Sequence, residues 1–100
     1  MSKIEKVKTY KEIKSITNKG EKLVFKSAII YKIPTKTNFR IGILTSRKFG
    51  NAVKRNFAKR RIIASLNAIK KDFEGDVVFI PRNQILTMNF EEIKEEFKRI

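Results

Sequence analysis

Between Lys22 and Lys71 the chain carries fourteen Lys or Arg residues and no Asp or Glu. A fold that contains this stretch cannot neutralise it from within, so the cations must stand in solvent and repel one another unless a polyanion offsets them. The remaining fifty residues hold ten basic and ten acidic side chains, so the whole formal charge of +14 belongs to the middle half of the chain. A surface built only for solubility mixes both signs. The segregation therefore points to a polyanionic partner.

One hundred residues with 41% hydrophobic side chains suffice for one domain around a single modest core, and we read residues 1–100 as one unit. The longest apolar run, Ala28-Ile29-Ile30-Tyr31, ends at Lys32, far short of the roughly 18 to 20 residues of a membrane span. The first residues lead into no apolar secretory segment, so a cytoplasmic protein without a membrane role is expected. The chain has no Cys and no His. Disulfides, thiolate nucleophiles, zinc sites built on sulfur or imidazole and histidine general bases are thereby excluded.

Local signals divide the chain into elements. Thr9 and Glu12 form a T-x-x-E capping box, Ile13 and Ile16 share one helical face, and Gly20 is placed to end that helix. Leu23 to Ile33 reads as one strand, and Pro34 to Asn38 as a turn. Phe39, Ile41 and Ile43 alternate with Arg40 and Gly42 as a second strand, expected to pair with the first as a hairpin. Asn51, behind Gly50, is a credible N-cap for a long helix reaching about Phe73, with Ala58, Ile62, Leu66, Ile69 and Phe73 as its apolar stripe. Val77 to Ile80, ended by Pro81, is apolar throughout and suits burial on both faces. A last helix follows Asn89, with Glu92 completing a second capping box and Phe90, Ile93, Phe97 and Ile100 as its stripe. The order α-β-β-(β or loop)-α-β-α predicts a small α/β sandwich with a mixed sheet.

The most informative segment runs from Ser46 to Arg61, where seven of sixteen residues are cationic. At 100° per residue, Arg55, Lys59, Asn56 and Arg60 span a sector of roughly 140°, with Lys54 and Arg61 on the opposite flank. The apolar stripe is regular only from Ala58, so the first turns are free to project their cations. Amides at the helix start and arginine forks both favour phosphate oxygens, and Asn56 can address a phosphate, a 2′-hydroxyl or a base edge. A merely solvated face would carry i,i+4 pairs of opposite sign, yet no acid follows until Asp72. RNA or DNA contact is the expectation for Arg47, Lys48, Asn51, Lys54, Arg55, Asn56, Lys59, Arg60 and Arg61.

The run Lys48-Phe49-Gly50-Asn51-Ala52-Val53-Lys54-Arg55-Asn56, followed by Lys59-Arg60, closely resembles the signature of the bacterial ribonuclease P protein family. Arg40-Ile41-Gly42 before it, and Asp76 and Arg82 after it, agree with that resemblance. It implies a sandwich similar to a domain of ribosomal proteins and translation factors, with a left-handed crossover around the long helix. It also implies a role in removing the 5′ leader of precursor tRNA. In that family the RNA subunit is the catalyst, with Mg²⁺ held by RNA and substrate, and the protein contributes no catalytic residue. The implied partners are the ribonuclease P RNA and precursor tRNA, with no obligate protein partner. The glutamates at 91, 92, 95 and 96 suit a charged helix face better than a metal site.

Two positions depart from the family pattern. Phe57 stands where an arginine is usual after the Arg-Asn pair, and Ile63 where another is usual, with Arg61 able to compensate. The family binds the leader in a cleft between sheet and first helix, lined by aromatic rings. Tyr31 matches one such position, while Ile13 and Thr17 occupy the aromatic positions of the first helix; Tyr31 is equally readable as core. The alternatives are a ribosomal or other structural RNA-binding protein without processing activity, and a nuclease acting without RNA, against which the missing histidines and scattered acids argue.

Overall fold

The computed structural model describes residues 5–7, 9–33, 39–69 and 73–100. In chain order the elements are strand β1 (Glu5–Lys6), helix α1 (Tyr10–Lys19), strands β2 (Glu21–Val24), β3 (Ala28–Ile33) and β4 (Arg40–Ile43), helix α2 (Ala52–Ile69), strand β5 (Asp76–Pro81) and helix α3 (Phe90–Phe97). Single 3₁₀ turns at Arg47–Phe49 and Asn83–Leu86 lead into α2 and α3. The expected α/β sandwich is present, with a five-stranded mixed sheet in the order β1-β4-β5-β3-β2. The turn expected at 34–38 lies outside the described residues, as do 70–72 at the tail of the long helix.

Two expectations are corrected. Leu23 to Ile33 is not one strand but the antiparallel hairpin β2–β3, folded about Lys26 and Ser27, where the Phe25 amide donates to the Ala28 carbonyl at 2.9 Å. Nothing local announces this break, because neither loop residue is Gly, Pro, Asn or Asp. Nor do β3 and β4 pair with each other. Strand β5 lies between them, antiparallel to β3 and parallel to β4. The physical reason is its composition: a strand apolar on both faces gains most from the central position, where each face is covered. Strand β1, which no periodicity announced, adds to the outer side of β4 in parallel.

Val77 and Phe79 of β5 face one layer and Val78 the other, all at most 2% exposed. The larger core lies between the sheet and α2 with α3, built from Ile30, Ile41, Phe79, Ala58, Ile62, Ile93 and Phe97. The expected α2 stripe is buried at Ala58, Ile62 and Leu66, while Ile69 and Phe73 pack at its margin. The helix is described as far as Ile69, and Phe73 is stacked on Phe39 at 4.9 Å between centroids. Of the α3 stripe, Ile93 and Phe97 are fully buried, but Phe90 remains at the surface under the Lys94 ammonium. The smaller core, on the other side of the sheet, joins Val7, Ile16 and Val78, with Ile13, Tyr31 and Ile33 against them. Helix α1 can settle there because Gly42 has no side chain: a Cβ would meet Ile13 Cγ1 at 3.0 Å.

The caps follow the sequence with one exception. Asn51 Oδ1 accepts from the Lys54 amide at 3.0 Å, and Asn89 with Glu92 forms a reciprocal capping box. Thr9 Oγ1 accepts from the Glu12 amide at 3.1 Å, but the Glu12 carboxylate reaches to Arg40 at 3.1 Å. Arg40 in turn grips Asp76 with two bonds of 2.8 Å, which above all raises its pKa and keeps its charge fixed where α1, β4 and β5 meet.

Candidate nucleic-acid interface

The 3₁₀ turn and the first two turns of α2 extend past the larger core, and their side chains follow that placement. Arg47, Lys48, Asn51, Lys54, Asn56 and Arg60 are exposed, and Arg55 and Lys59 are half-buried. The chain enters the helix through Gly50, whose φ of 144° lies in the region that L side chains rarely adopt. A Cβ there would also meet Lys54 Cδ at 2.8 Å. Arg55 folds one donor back onto the Gly50 carbonyl at 3.2 Å, which holds its charge at the mouth of the helix.

No carboxylate pairs with any cation between Arg47 and Arg61 among the described residues. Some cations elsewhere do have such partners: Arg40 is neutralised by Asp76 and Glu12, and Lys94 and Lys98 are paired with Glu91 and Glu95. The cations from Arg47 to Arg61 are instead gathered without a carboxylate on the 3₁₀ turn and the start of α2, together with the positive end of that helix dipole.

Arg61 stands apart from the rest of the expected set. It is half-buried, donates from Nη2 to the Met88 carbonyl, and lies with its guanidinium carbon 5.4 Å from the Phe57 ring centroid. It ties α2 to the segment before α3. Ile63, the other departure, is half-buried against the larger core. Phe57 is 44% exposed and its neighbour one turn earlier, Val53, is 76% exposed.

Tyr31 and Ile13 are brought together on the α1 side of the sheet, both half-buried against Val78 and its neighbours. Thr17, one turn after Ile13, is half-buried and donates its hydroxyl to the Lys14 carbonyl at 2.9 Å. The strand register puts Val24, Ile29 and Ile80 in one row on this same side, since Ile29 is two residues from Tyr31 and pairs with both others. Val24 is 59% exposed. Ile13 of α1 and Lys59 and Ile63 of α2 also line one concavity of about 170 Å³ at the β4 edge, together with Lys6. The basic helix start and the α1 side of the sheet therefore adjoin. A second, more open concavity of about 450 Å³ lies beyond the C-terminal ends of β4 and β5, lined by Ser46, Lys48, Arg82 and Asn83.

A sequence model of the family described as Ribonuclease P matches residues 1–100. The chain belongs to the ribonuclease P protein family. The ribonuclease P protein component of Ligilactobacillus salivarius (strain UCC118) is 34% identical over 104 residues, covering 100% of this chain and 92% of that protein. That of Bacillus cereus (strain Q1) is 34% identical over 107 residues, covering 99% and 93%. The solved structure of the Staphylococcus aureus RNase P protein superposes with a TM-score of 0.79 at 28% identity, covering 98% of this chain and 93% of that one. The RNase P protein from Thermotoga maritima gives 0.73 at 25% identity, covering 96% and 97%. This chain is a protein component of ribonuclease P, a tRNA-processing ribonucleoprotein.

Sequence reasoning missed one residue that organises this ribonuclease P fold. Glu96, read as part of a solvated face, accepts from the Lys26 and Ser27 amides at 3.0 and 2.9 Å and so pins the β2–β3 loop to α3. Arg82 supports the same loop from Nη1 to the Phe25 carbonyl at 3.2 Å. The spacing between Glu96 and that loop is about seventy residues, and no local pattern could have joined them. The other glutamates of α3 are also engaged: Glu91 and Glu95 with lysines one turn on, and Glu92 in the cap. Among the described residues no helix is long and apolar enough to cross a membrane.

Proposed function

We propose that the chain binds the ribonuclease P RNA through Arg47, Lys48, Asn51, Lys54, Arg55, Asn56, Lys59 and Arg60, and receives the 5′ leader of precursor tRNA on the α1 side of the sheet beside Tyr31 and Ile13. The observation that carries this reading is the group of cations at the start of α2 without a carboxylate partner among the described residues. An RNA backbone supplies the missing charge, and fork-shaped guanidinium groups fit its phosphate oxygens. The row Val24, Ile29 and Ile80 beside Tyr31 offers a single strand an apolar floor, and the concavity shared by Ile13 and Lys59 sets the first helix beside the basic one.

In this reading the endonucleolytic hydrolysis that frees the leader is performed by the RNA subunit in the cytoplasm. Mg²⁺ held by the RNA and the substrate would supply water activation and charge stabilisation at the reacting phosphate. The chain's part is to hold RNA and leader in register and to lower the mutual repulsion of their phosphates, which favours metal binding between them. Its acids are not called on: the α3 glutamates serve the caps, pairs and loop contact described above.

The test is reconstitution with the ribonuclease P RNA encoded in the same genome. Cleavage of a precursor tRNA at limiting Mg²⁺ is expected to rise on addition of the chain, and RNA affinity to fall with salt at a logarithmic slope on the order of −4 to −7 for roughly five to eight phosphate contacts. Binding with a slope near −1, or tight binding without any gain in cleavage, refutes the assignment; the second outcome favours a structural RNA-binding protein.

A further inference from the structure

The position after the Arg-Asn pair, where the family pattern has a cation, holds an aromatic ring that the fold does not bury. Phe57 keeps 44% of its surface in solvent, although the larger core lies directly beneath the same helix at Ala58. Val53 and Phe57, spaced i,i+4, make an apolar strip on the outer side of α2, and Arg61 continues it by another turn. The Arg61 guanidinium sits over the ring, 5.4 Å from its centroid, and is held there by its bond to the Met88 carbonyl. The ring is thus kept in place by a cation that the fold has already fixed. Lys54 and Arg60, both exposed, flank the strip on either side, and no acid lies within α2.

We propose that Phe57 and Arg61 form a stacking platform for one unpaired base of the ribonuclease P RNA. Three features favour a base over an apolar protein surface. The strip is narrow, one ring and one branched side chain wide, and matches the face of a single base. Lys54 and Arg60 stand on its two sides, which suits a phosphate on each side of that base and would leave a protein partner with unpaired charges. A guanidinium fixed over one face of the ring holds the ring still, so a base stacking on its exposed surface orders little of the protein at binding. The stacked base contributes affinity that is insensitive to salt, unlike a phosphate contact.

This inference rests on the proposed RNA partner, and the experiment separates the two. Affinity for the ribonuclease P RNA of the same genome is measured across a salt series for the unaltered chain, Phe57→Ala, Phe57→Leu, Phe57→Tyr and Phe57→Arg, each with a thermal melt. Phe57→Ala and Phe57→Leu are expected to lose about 5- to 100-fold in affinity with an unchanged salt slope. Phe57→Tyr keeps the affinity, and Phe57→Arg recovers part of it with a slope steeper by about 1. Phe57→Leu preserves an apolar side chain of similar size, so its result stands even where Phe57→Ala melts early. If the unaltered chain fails to bind this RNA, the partner assignment is wrong. If it binds and Phe57→Leu binds within twofold of it, the platform alone is refuted. Loss confined to precursor tRNA, with affinity for the ribonuclease P RNA intact, also overturns the assignment made here.

Discussion

Replacing Glu96 by Ala removes the carboxylate that holds the β2–β3 loop, and its cost can be worked from the two bonds it accepts. The Lys26 amide lies near solvent, so water recovers much of that bond; Ser27 is fully buried and its amide is left without an acceptor. A hydrogen bond to a charged group contributes about 1.5–3 kcal/mol, and an orphaned buried donor costs about 1–3 kcal/mol. The expected loss is about 2–4 kcal/mol, which lowers the midpoint of a domain this size by about 10–20 °C. Glu95→Ala is the control. It makes the same change in net charge on the same helix but removes only an exposed i,i+3 pair with Lys98 at 2.8 Å, so its midpoint is expected to stay close to that of the unaltered chain. Thermal and urea melts of both variants decide the matter. Equal midpoints for the two would refute the assignment of Glu96 as the anchor of the loop.

Three further outcomes follow from the same contacts. Among the described residues the buried Ser27 hydroxyl has no hydrogen-bond partner, so Ser27→Ala should stabilise the fold by about 1 kcal/mol, read as a higher urea midpoint at unchanged slope. Arg60→Ala should leave the melt within about 0.5 kcal/mol of the unaltered chain and weaken RNA binding about tenfold, whereas Arg61→Ala, which loses the Met88 contact, should lower stability by about 1–2 kcal/mol. In the reconstituted complex Tyr31→Ala should weaken a precursor with a long leader by about 1–3 kcal/mol and leave one with a very short leader unchanged; equal weakening of both, with a normal melt, would place the leader elsewhere.

The signals that were legible in the sequence are those that act over a few residues. Thr9, Asn51 and Asn89 cap helices because the cap oxygen lies within reach of an amide two or three positions on, set by the local backbone alone. The basic start of α2 was legible for the same reason, since helical spacing alone fixes which side chains share a sector. That no acid lies within the helix needed no coordinates, but that no distant carboxylate reaches it among the described residues was decided by the fold. Even so, the exception at Glu12 shows where this stops: its carboxylate had a local amide within reach and instead joined Arg40, a partner 28 residues away that brings a full charge.

What only the tertiary structure decided is which distant elements become neighbours. Strand pairing joins backbone groups that carry no sequence label, so periodicity could find β3 and β4 but not the insertion of β5 between them. The fold likewise separated Arg61 from the cations beside it. Its place on the flank of α2 was readable, but the Met88 carbonyl that claims it arrives from another part of the chain. Phe57 lies on the open side of α2 because the sheet covers one face of the helix and the start of α3 covers another, and nothing remains to cover the third. Hydrophobicity alone would have sent that ring inward, while the geometry of two layers leaves it in solvent beside the cations at the start of α2.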